Sequence, residues 1–505
     1  MNQNLFSLIR SRITDPHRLV METPADREYR YADLLALSAR FANVLMDLGL
    51  KPGDRVAAQV DKSPEAILLY LGVLRAGGVY LPLNTGYTAG ELRYFLGDAE
   101  PLLFVCRPDK LDEARAVAGD TGVACVESLG SDADGSLMAR TLAAASDFPD
   151  MPRSDNDLAA ILYTSGTTGR SKGAMLSHAN LASNAEVLRN YWQFTADDVL
   201  LHALPIYHTH GLFVACNTVF LAGGRMIFLE KFDADRIIRQ LPRATSMMGV
   251  PTFYTRLLAR EDFTRERVAH MRLFTSGSAP LTADTHRAFF QRTGHAILER
   301  YGMTETNMST SNPYDGERRA GTVGFPLPGV ELRVMDRESG APLPTGEIGM
   351  IEVRGPNVFQ GYWRMPEKTR EEFRGDGFFI TGDVGFIDER DYVHLVAREK
   401  DLIISGGFNV YPKEVEGLID EQPGVVESAV VGVPHPDFGE AVVAVVVAEP
   451  GVEMDERAVL EGLRDRLARY KQPKQVYFVE SLPRNTMGKV QKNLLREAYR
   501  GSFGG

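Results

Sequence analysis

The 505-residue chain carries a formal net charge of −11 and is 44% apolar, 24% charged and 9% aromatic. This length exceeds what one hydrophobic core organises, so more than one domain is expected, and the composition is that of an ordered globular protein. The negative balance has no long Lys/Arg run to offset it, which repels a phosphate backbone and excludes nucleic acid as an expected partner.

Along the chain, residues 31–48 read as a helix followed by a strand at 55–59, and residues 64–74 followed by 79–81 repeat that rhythm. Residues 130–152, rich in Ala, Asp and Ser, read as a surface excursion. Between residues 158 and 302, short apolar or β-branched runs at 158–163, 226–229, 246–250 and 273–276 alternate with helical patterns. That texture predicts βαβ units around a mostly parallel sheet. From Val323 the pattern shifts to short alternating strands, such as 331–335 and 348–354, punctuated by Gly and Pro. After Arg398-Glu399-Lys400-Asp401, a strand, a helix, two strands, a helix, a strand and a helix fill enough chain for an independent α+β domain. The expected class is α/β: a large N-terminal domain over residues 1–399, built of layered α/β subdomains plus a small β-rich subdomain, then a small C-terminal domain over residues 400–505.

The three cysteines, Cys106, Cys125 and Cys216, lack CxxC spacing, so neither a disulfide framework nor a zinc site is expected and a reducing cytoplasm fits. The most apolar window, residues 441–448, is only strand-length, and residues 1–13 lack the pattern of a secretory signal; neither a membrane span nor export is expected.

The densest chemical signal is Tyr163-Thr164-Ser165-Gly166-Thr167-Thr168-Gly169-Arg170-Ser171-Lys172-Gly173, which follows a predicted strand. Glycine lets backbone N–H groups turn toward phosphate oxygens, hydroxyls add donors, and lysine supplies charge. Lys172 is followed by Gly173, so this is not the GxxxxGK[ST] loop of kinases and GTPases.

Together with Tyr301-Gly302-Met303-Thr304-Glu305, Thr381-Gly382-Asp383, Arg398 and the stretch from Arg484 to Lys489, this loop resembles the acyl-adenylate-forming superfamily of acyl-CoA synthetases, luciferases and adenylation domains. The motifs follow the family's order over nearly the whole chain. The resemblance implies that Thr164, Ser165, Gly166, Thr167, Thr168, Gly169 and Lys172 wrap the ATP phosphates, that Glu305 and Thr164 hold Mg²⁺, and that Thr304 lies near the α-phosphate. It implies that Gly277, Ser278 and Ala279, with Glu299, Arg300, Tyr301, Gly302 and Met303, flank adenine, and that Asp383 and Arg398 contact the ribose. Lys489, on the mobile C-terminal domain, then serves adenylation by stabilising the attacking carboxylate and the α-phosphate, alongside Thr164, Glu305 and His208. The hinge falls at Lys400, and rotation brings Gly406 and Gly407 to the thioester site for coenzyme A. A carrier protein instead of CoA, or a regulator that binds nucleotide without catalysis, are the alternatives.

The acid is expected against residues 204–211, 249–256 and 303–309, which are too polar for a fatty-acyl pocket. His208-Thr209-His210-Gly211, Arg256 and Ser276-Gly277-Ser278 resemble malonyl-CoA synthetases. The expected substrate is therefore malonate, with methylmalonate tolerated; another short dicarboxylic, aliphatic or aromatic acid is the alternative. Arg256 is expected to be buried and to pair with the distal carboxylate, aided by Ser278 and with His208 nearby, while Thr209 and Met308 limit bulk at the middle carbon.

Overall fold

The computed structural model describes residues 2–164, 171–452, 454–464, 466–485 and 488–503. Ser165, Gly166, Thr167, Thr168 and Gly169 of the phosphate loop lie outside the described residues. Among the described residues the strands form four sheets, of nine, six, five and four strands. No helix among them is long and apolar enough to cross a membrane.

The two largest sheets share one core, and the helix Pro64–Arg75 shows why. Ser63 caps its first turn by accepting from the Ala66 N–H, Pro64 occupies the first turn, and every residue from Pro64 to Arg75 is buried. A helix apolar on nearly all sides must be interior, and Arg75 at its end is tolerated there because Asp150 meets it at 2.9 Å.

Six adjacent strands of the nine-stranded sheet run parallel: Leu298–Met303, Leu273–Ser276, Ser246–Gly249, Val199–His202, Arg225–Phe228 and Leu19–Glu22. The run predicted at 158–163 forms the strand Leu158–Thr164, but in the other sheet, pairing in parallel with Val79–Pro82. Local patterning sees a strand; which sheet receives it depends on the crossover. Residues 130–152 are more than a surface excursion, because the helix Ser136–Ala143 buries Leu137, Met138 and Thr141 against the core.

The β-rich subdomain is the four-stranded sheet Glu331–Met335, Gly349–Arg354, Phe379–Ile387 and Val393–Arg398. The C-terminal region has its own core. Its long hairpin, Val425–His435 and Gly439–Ala448, buries alternate residues on both faces, with Val430, Val442 and Ala444 on one and Val431, Val443 and Val445 on the other. Its first strand is a hairpin rather than a single strand: Ile403–Ser405 and Phe408–Val410 turn at Gly406 and Gly407, whose φ values of 58° and 81° suit glycine.

Candidate active site

Parallel strands present their carboxyl ends at one edge, and loops leaving that edge build sites. Four neighbouring strands, ending at His202, Gly249, Ser276 and Met303, deliver the segments singled out from sequence to that edge. The strand Leu158–Thr164 leads into the phosphate loop, and the antiparallel pairing of Thr164 with Lys172 closes that loop as a hairpin. This differs from loops that open a helix.

Two polar clusters surround the expected nucleotide position. In the first, Asp383 lies within a strand in register with Arg398, and the Arg398 Nε meets its carboxylate at 2.7 Å. The Tyr301 hydroxyl donates to the other Asp383 oxygen at 2.5 Å, and burial together with Asp383 pushes that phenol well above its ordinary pKa. Tyr301 thus couples the expected adenine segment to the expected ribose segment. Tyr301→Phe should cost about 1–3 kcal/mol in urea unfolding, because a buried carboxylate loses a donor.

The second cluster joins Glu305, Tyr362, Glu372 and Lys172. The Tyr362 hydroxyl donates to Glu372 at 2.6 Å and to Glu305 at 3.0 Å, while Lys172 Nζ pairs with Glu372 at 2.9 Å and sits 4.0 Å over the Tyr362 ring. Burial raises the pKa of Glu305. A buried carboxylate plus a threonine hydroxyl at Thr164 is the sparse oxygen set that Mg²⁺ accepts when phosphate and water complete its shell, so these residues fit the ion.

Lys489 reaches the cleft from the small domain. Its hairpin is closed by the Asn485 side chain, which accepts from the Lys489 N–H at 2.9 Å. Gly488 approaches Thr252 at the start of the helix Pro251–Leu258. Enclosure between the domains and then Arg398 push the Lys489 ammonium below the ordinary lysine range, against the pull of Asp383 and Asp401. Lys400 feels the same crowding and is lowered to about 8, by burial, Arg398 and Lys489. Arg398 is tied to Asp383 of the β-rich subdomain, whereas Asp401 is tied to Arg496 of the C-terminal region at 2.5 Å. The chain changes allegiance between them. Gly406 and Gly407 are not brought to the cleft in this arrangement; Gly406 faces Phe438 of its own domain.

At the expected acid position the structure separates two arginines by burial. Arg256 is exposed, in the last turn of its helix, with its guanidinium 5.7 Å above the Phe232 ring, so the expectation of a buried Arg256 is not met. The buried cation is Arg300, whose Nε and Nη2 have no hydrogen-bond partner among the described residues. It lies against Gly277, where an added Cβ would come within 2.4 Å of the guanidinium carbon. Any larger residue there would displace the guanidinium. Burial pushes Arg300 down to about 9, which leaves it charged at neutral pH.

Around this charge, Ser278 Oγ lies 3.2 Å from His210 Nδ1, and the Nε2 atoms of His208 and His210 are buried without partners among the described residues. Burial lowers His208 to about 4, and burial plus Arg300 hold His210 well below the ordinary value, so both are neutral hydrogen-bonding groups at pH 7. Thr209 Oγ1 donates to Asn307 at 2.8 Å, and Met308 is fully buried on the neighbouring strand. In the sequence Arg300 was legible only as a flank of the expected adenine motif; its burial is a property of the fold.

Glu299, next to Arg300, is buried, and desolvation raises its carboxyl pKa to about 7. A raised carboxyl contributes stability fully below its unfolded pKa near 4.5 and loses it as pH climbs through about 7. Relative to Glu299→Gln, the parent should therefore lose on the order of 2–3 kcal/mol between pH 5 and pH 8, read from paired urea melts.

Residues 13–363 match the AMP-binding enzyme family, and residues 414–489 match the AMP-binding enzyme C-terminal domain. A feruloyl-CoA synthase from Amycolatopsis is 37% identical over 93% of this chain and 94% of its own, and a malonate–CoA ligase from Arabidopsis thaliana is 35% identical over 89% and 79%. The crystal structure of ATP-bound MatB from Rhodopseudomonas palustris superposes with a TM-score of 0.98 at 63% identity, covering 100% of both chains. The apo form of that protein gives 0.86 at the same identity and coverage.

Proposed function

We propose, starting from the fact that this chain belongs to the AMP-binding enzyme family and is an AMP-forming acid–CoA ligase, that its acid is malonate. Its reaction is then malonate, ATP and CoA giving malonyl-CoA, AMP and pyrophosphate. The observation that carries the choice is the buried Arg300 guanidinium with two unpartnered N–H groups, flanked by Ser278 and two neutral histidines. A buried cation without an anion is costly, and a carboxylate matches a guanidinium in two bonds. A short diacid supplies that anion while its other carboxylate faces the α-phosphate. The malonate–CoA ligase relative supports this reading.

In the first step one malonate carboxylate attacks the α-phosphate of ATP and pyrophosphate leaves. Lys489 offsets the charge gathered on the attacking oxygen and the α-phosphate, and Lys172 exchanges Glu372 for phosphate oxygens. Glu305 and Thr164 would hold Mg²⁺, which neutralises phosphate charge when bound. Asp383 and Arg398 receive the ribose, Gly277, Ala279 and Tyr301 to Thr304 border the base and α-phosphate, and Thr209 and Met308 restrict the acid's middle carbon. In the second step the domain over residues 400–505 turns about Lys400, Gly406 and Gly407 approach the thioester site, and the CoA thiol displaces AMP.

A panel of malonate, methylmalonate, succinate, acetate, octanoate, benzoate and ferulate, followed by pyrophosphate release, tests the assignment. Malonate should give the highest kcat/KM, with methylmalonate next. Preference for ferulate, benzoate or octanoate would remove the diacid reading and leave the ligase intact.

A further inference from the structure

One buried polar cluster behind the acid position takes no part in the two steps. It joins Lys62, His202, Cys216 and the Gly211 carbonyl. Lys62 lies between the strand Arg55–Gln59 of the six-stranded sheet and the helix Pro64–Arg75, whereas His202 ends the strand Val199–His202 of the nine-stranded sheet. Lys62 is buried, donates to the His202 carbonyl at 2.9 Å, lies 3.1 Å from His202 Nδ1 and sits 4.4 Å over the Phe228 ring. A lysine so placed costs desolvation that an apolar side chain of the same length would not, so its presence asks for a role.

The two neighbours of the imidazole fix where its hydrogen sits. Nε2 is 2.8 Å from the Gly211 carbonyl, which can only accept, so Nε2 carries the hydrogen. Burial and then Lys62 hold His202 well below its ordinary pKa, which makes the ring neutral and leaves Nδ1 as an acceptor. Lys62 is the donor that Nδ1 needs. The Cys216 thiol donates to the same Gly211 carbonyl at 3.2 Å. Gly211 also lies in the π-helix His210–Cys216, which is buried throughout, and an added Cβ there would come within 2.0 Å of the Pro205 carbonyl oxygen. One carbonyl thus anchors, from behind, the turn that carries His208, Thr209 and His210.

We propose that Lys62 and His202 are positioning residues for the acid: Lys62 sets the His202 tautomer, and His202 Nε2–H holds the Gly211 carbonyl so that His208 and His210 face the acid. Both act through the backbone of Gly211. The inference rests on residues 208–211 bordering the acid, and it holds for whichever acid the panel selects.

The test compares Lys62→Met, His202→Leu, His202→Gln and the double variant K62M/H202Q by ATP–pyrophosphate exchange with the best acid of the panel. A glutamine amide nitrogen stands as many bonds from Cβ as the histidine Nε2 and donates without a partner to set its tautomer. Lys62→Met and His202→Leu should each raise KM for the acid about tenfold while KM for ATP stays within about twofold. His202→Gln and K62M/H202Q should both keep KM for the acid within about threefold of the parent, because the donor to Gly211 no longer depends on Lys62. An unchanged acid KM in Lys62→Met overturns the proposal, as does an equal rise in KM for ATP, which marks general loosening. A loss of about tenfold that persists in K62M/H202Q also overturns it, because Lys62 then acts other than through His202. Should Lys62→Met not fold, the two single His202 variants decide: an equal acid KM in both removes the carbonyl contact as the cause. Failure of the malonate reading is seen separately, in the acid panel of the parent enzyme.

Discussion

Lys489→Ala is expected to lower malonate-dependent ATP–pyrophosphate exchange by about 10²-fold or more, while supplied malonyl-adenylate still gives malonyl-CoA near the parent rate. The split follows from geometry. Lys489 feels the charges of Asp383 and Arg398 because the C-terminal region is folded over the cleft, and Gly406 faces Phe438 of its own domain in the same arrangement. The expected split therefore assigns one face of the small domain to each step. Lys489 belongs to neither hydrophobic cluster of the C-terminal region, so Lys489→Ala should leave the melting temperature unchanged. Single-turnover thioester formation from synthetic adenylate is the decisive measurement; equal loss in both steps would sink the alternation.

Arg300→Leu is expected to reduce kcat/KM for malonate by about 10²–10³-fold, the equivalent of roughly 3–4 kcal/mol for breaking a buried charge pair. Propionate has the same carbon count without the distal carboxylate, so its turnover should hold or rise in this variant. Arg256→Leu should cost less, within about tenfold, because Arg256 is hydrated at the end of its helix. If Arg256→Leu proved the more damaging of the two, the distal carboxylate would belong at the mouth of the pocket rather than its floor.

Much of the fold was readable in advance because it rests on local patterning. The strands Arg55–Gln59, Leu273–Ser276 and Glu331–Met335 fall where alternation and turn residues place them, and the helix Tyr31–Asp47 ends one residue short of its expected end. The misreadings are tertiary. The strand Leu158–Thr164 joined the other sheet, and the helix Ser136–Ala143 found a core to pack against. Neither alters a local propensity; each depends on which distant surface was within reach.

The site divides along the same line. The spacing of Gly, hydroxyl and Lys residues through residues 164–173, and the order of the later motifs, determined by sequence alone that this is an acid-adenylating chain, because phosphate recognition is written in short contiguous segments. What only the tertiary structure decided is which cation is dry. Arg256 and Arg300 are equal as letters, but one ends a surface helix and the other lies on an interior strand of the nine-stranded sheet, against Gly277. Desolvation is a property of the whole fold, and it makes an unpaired guanidinium a demand for an anion.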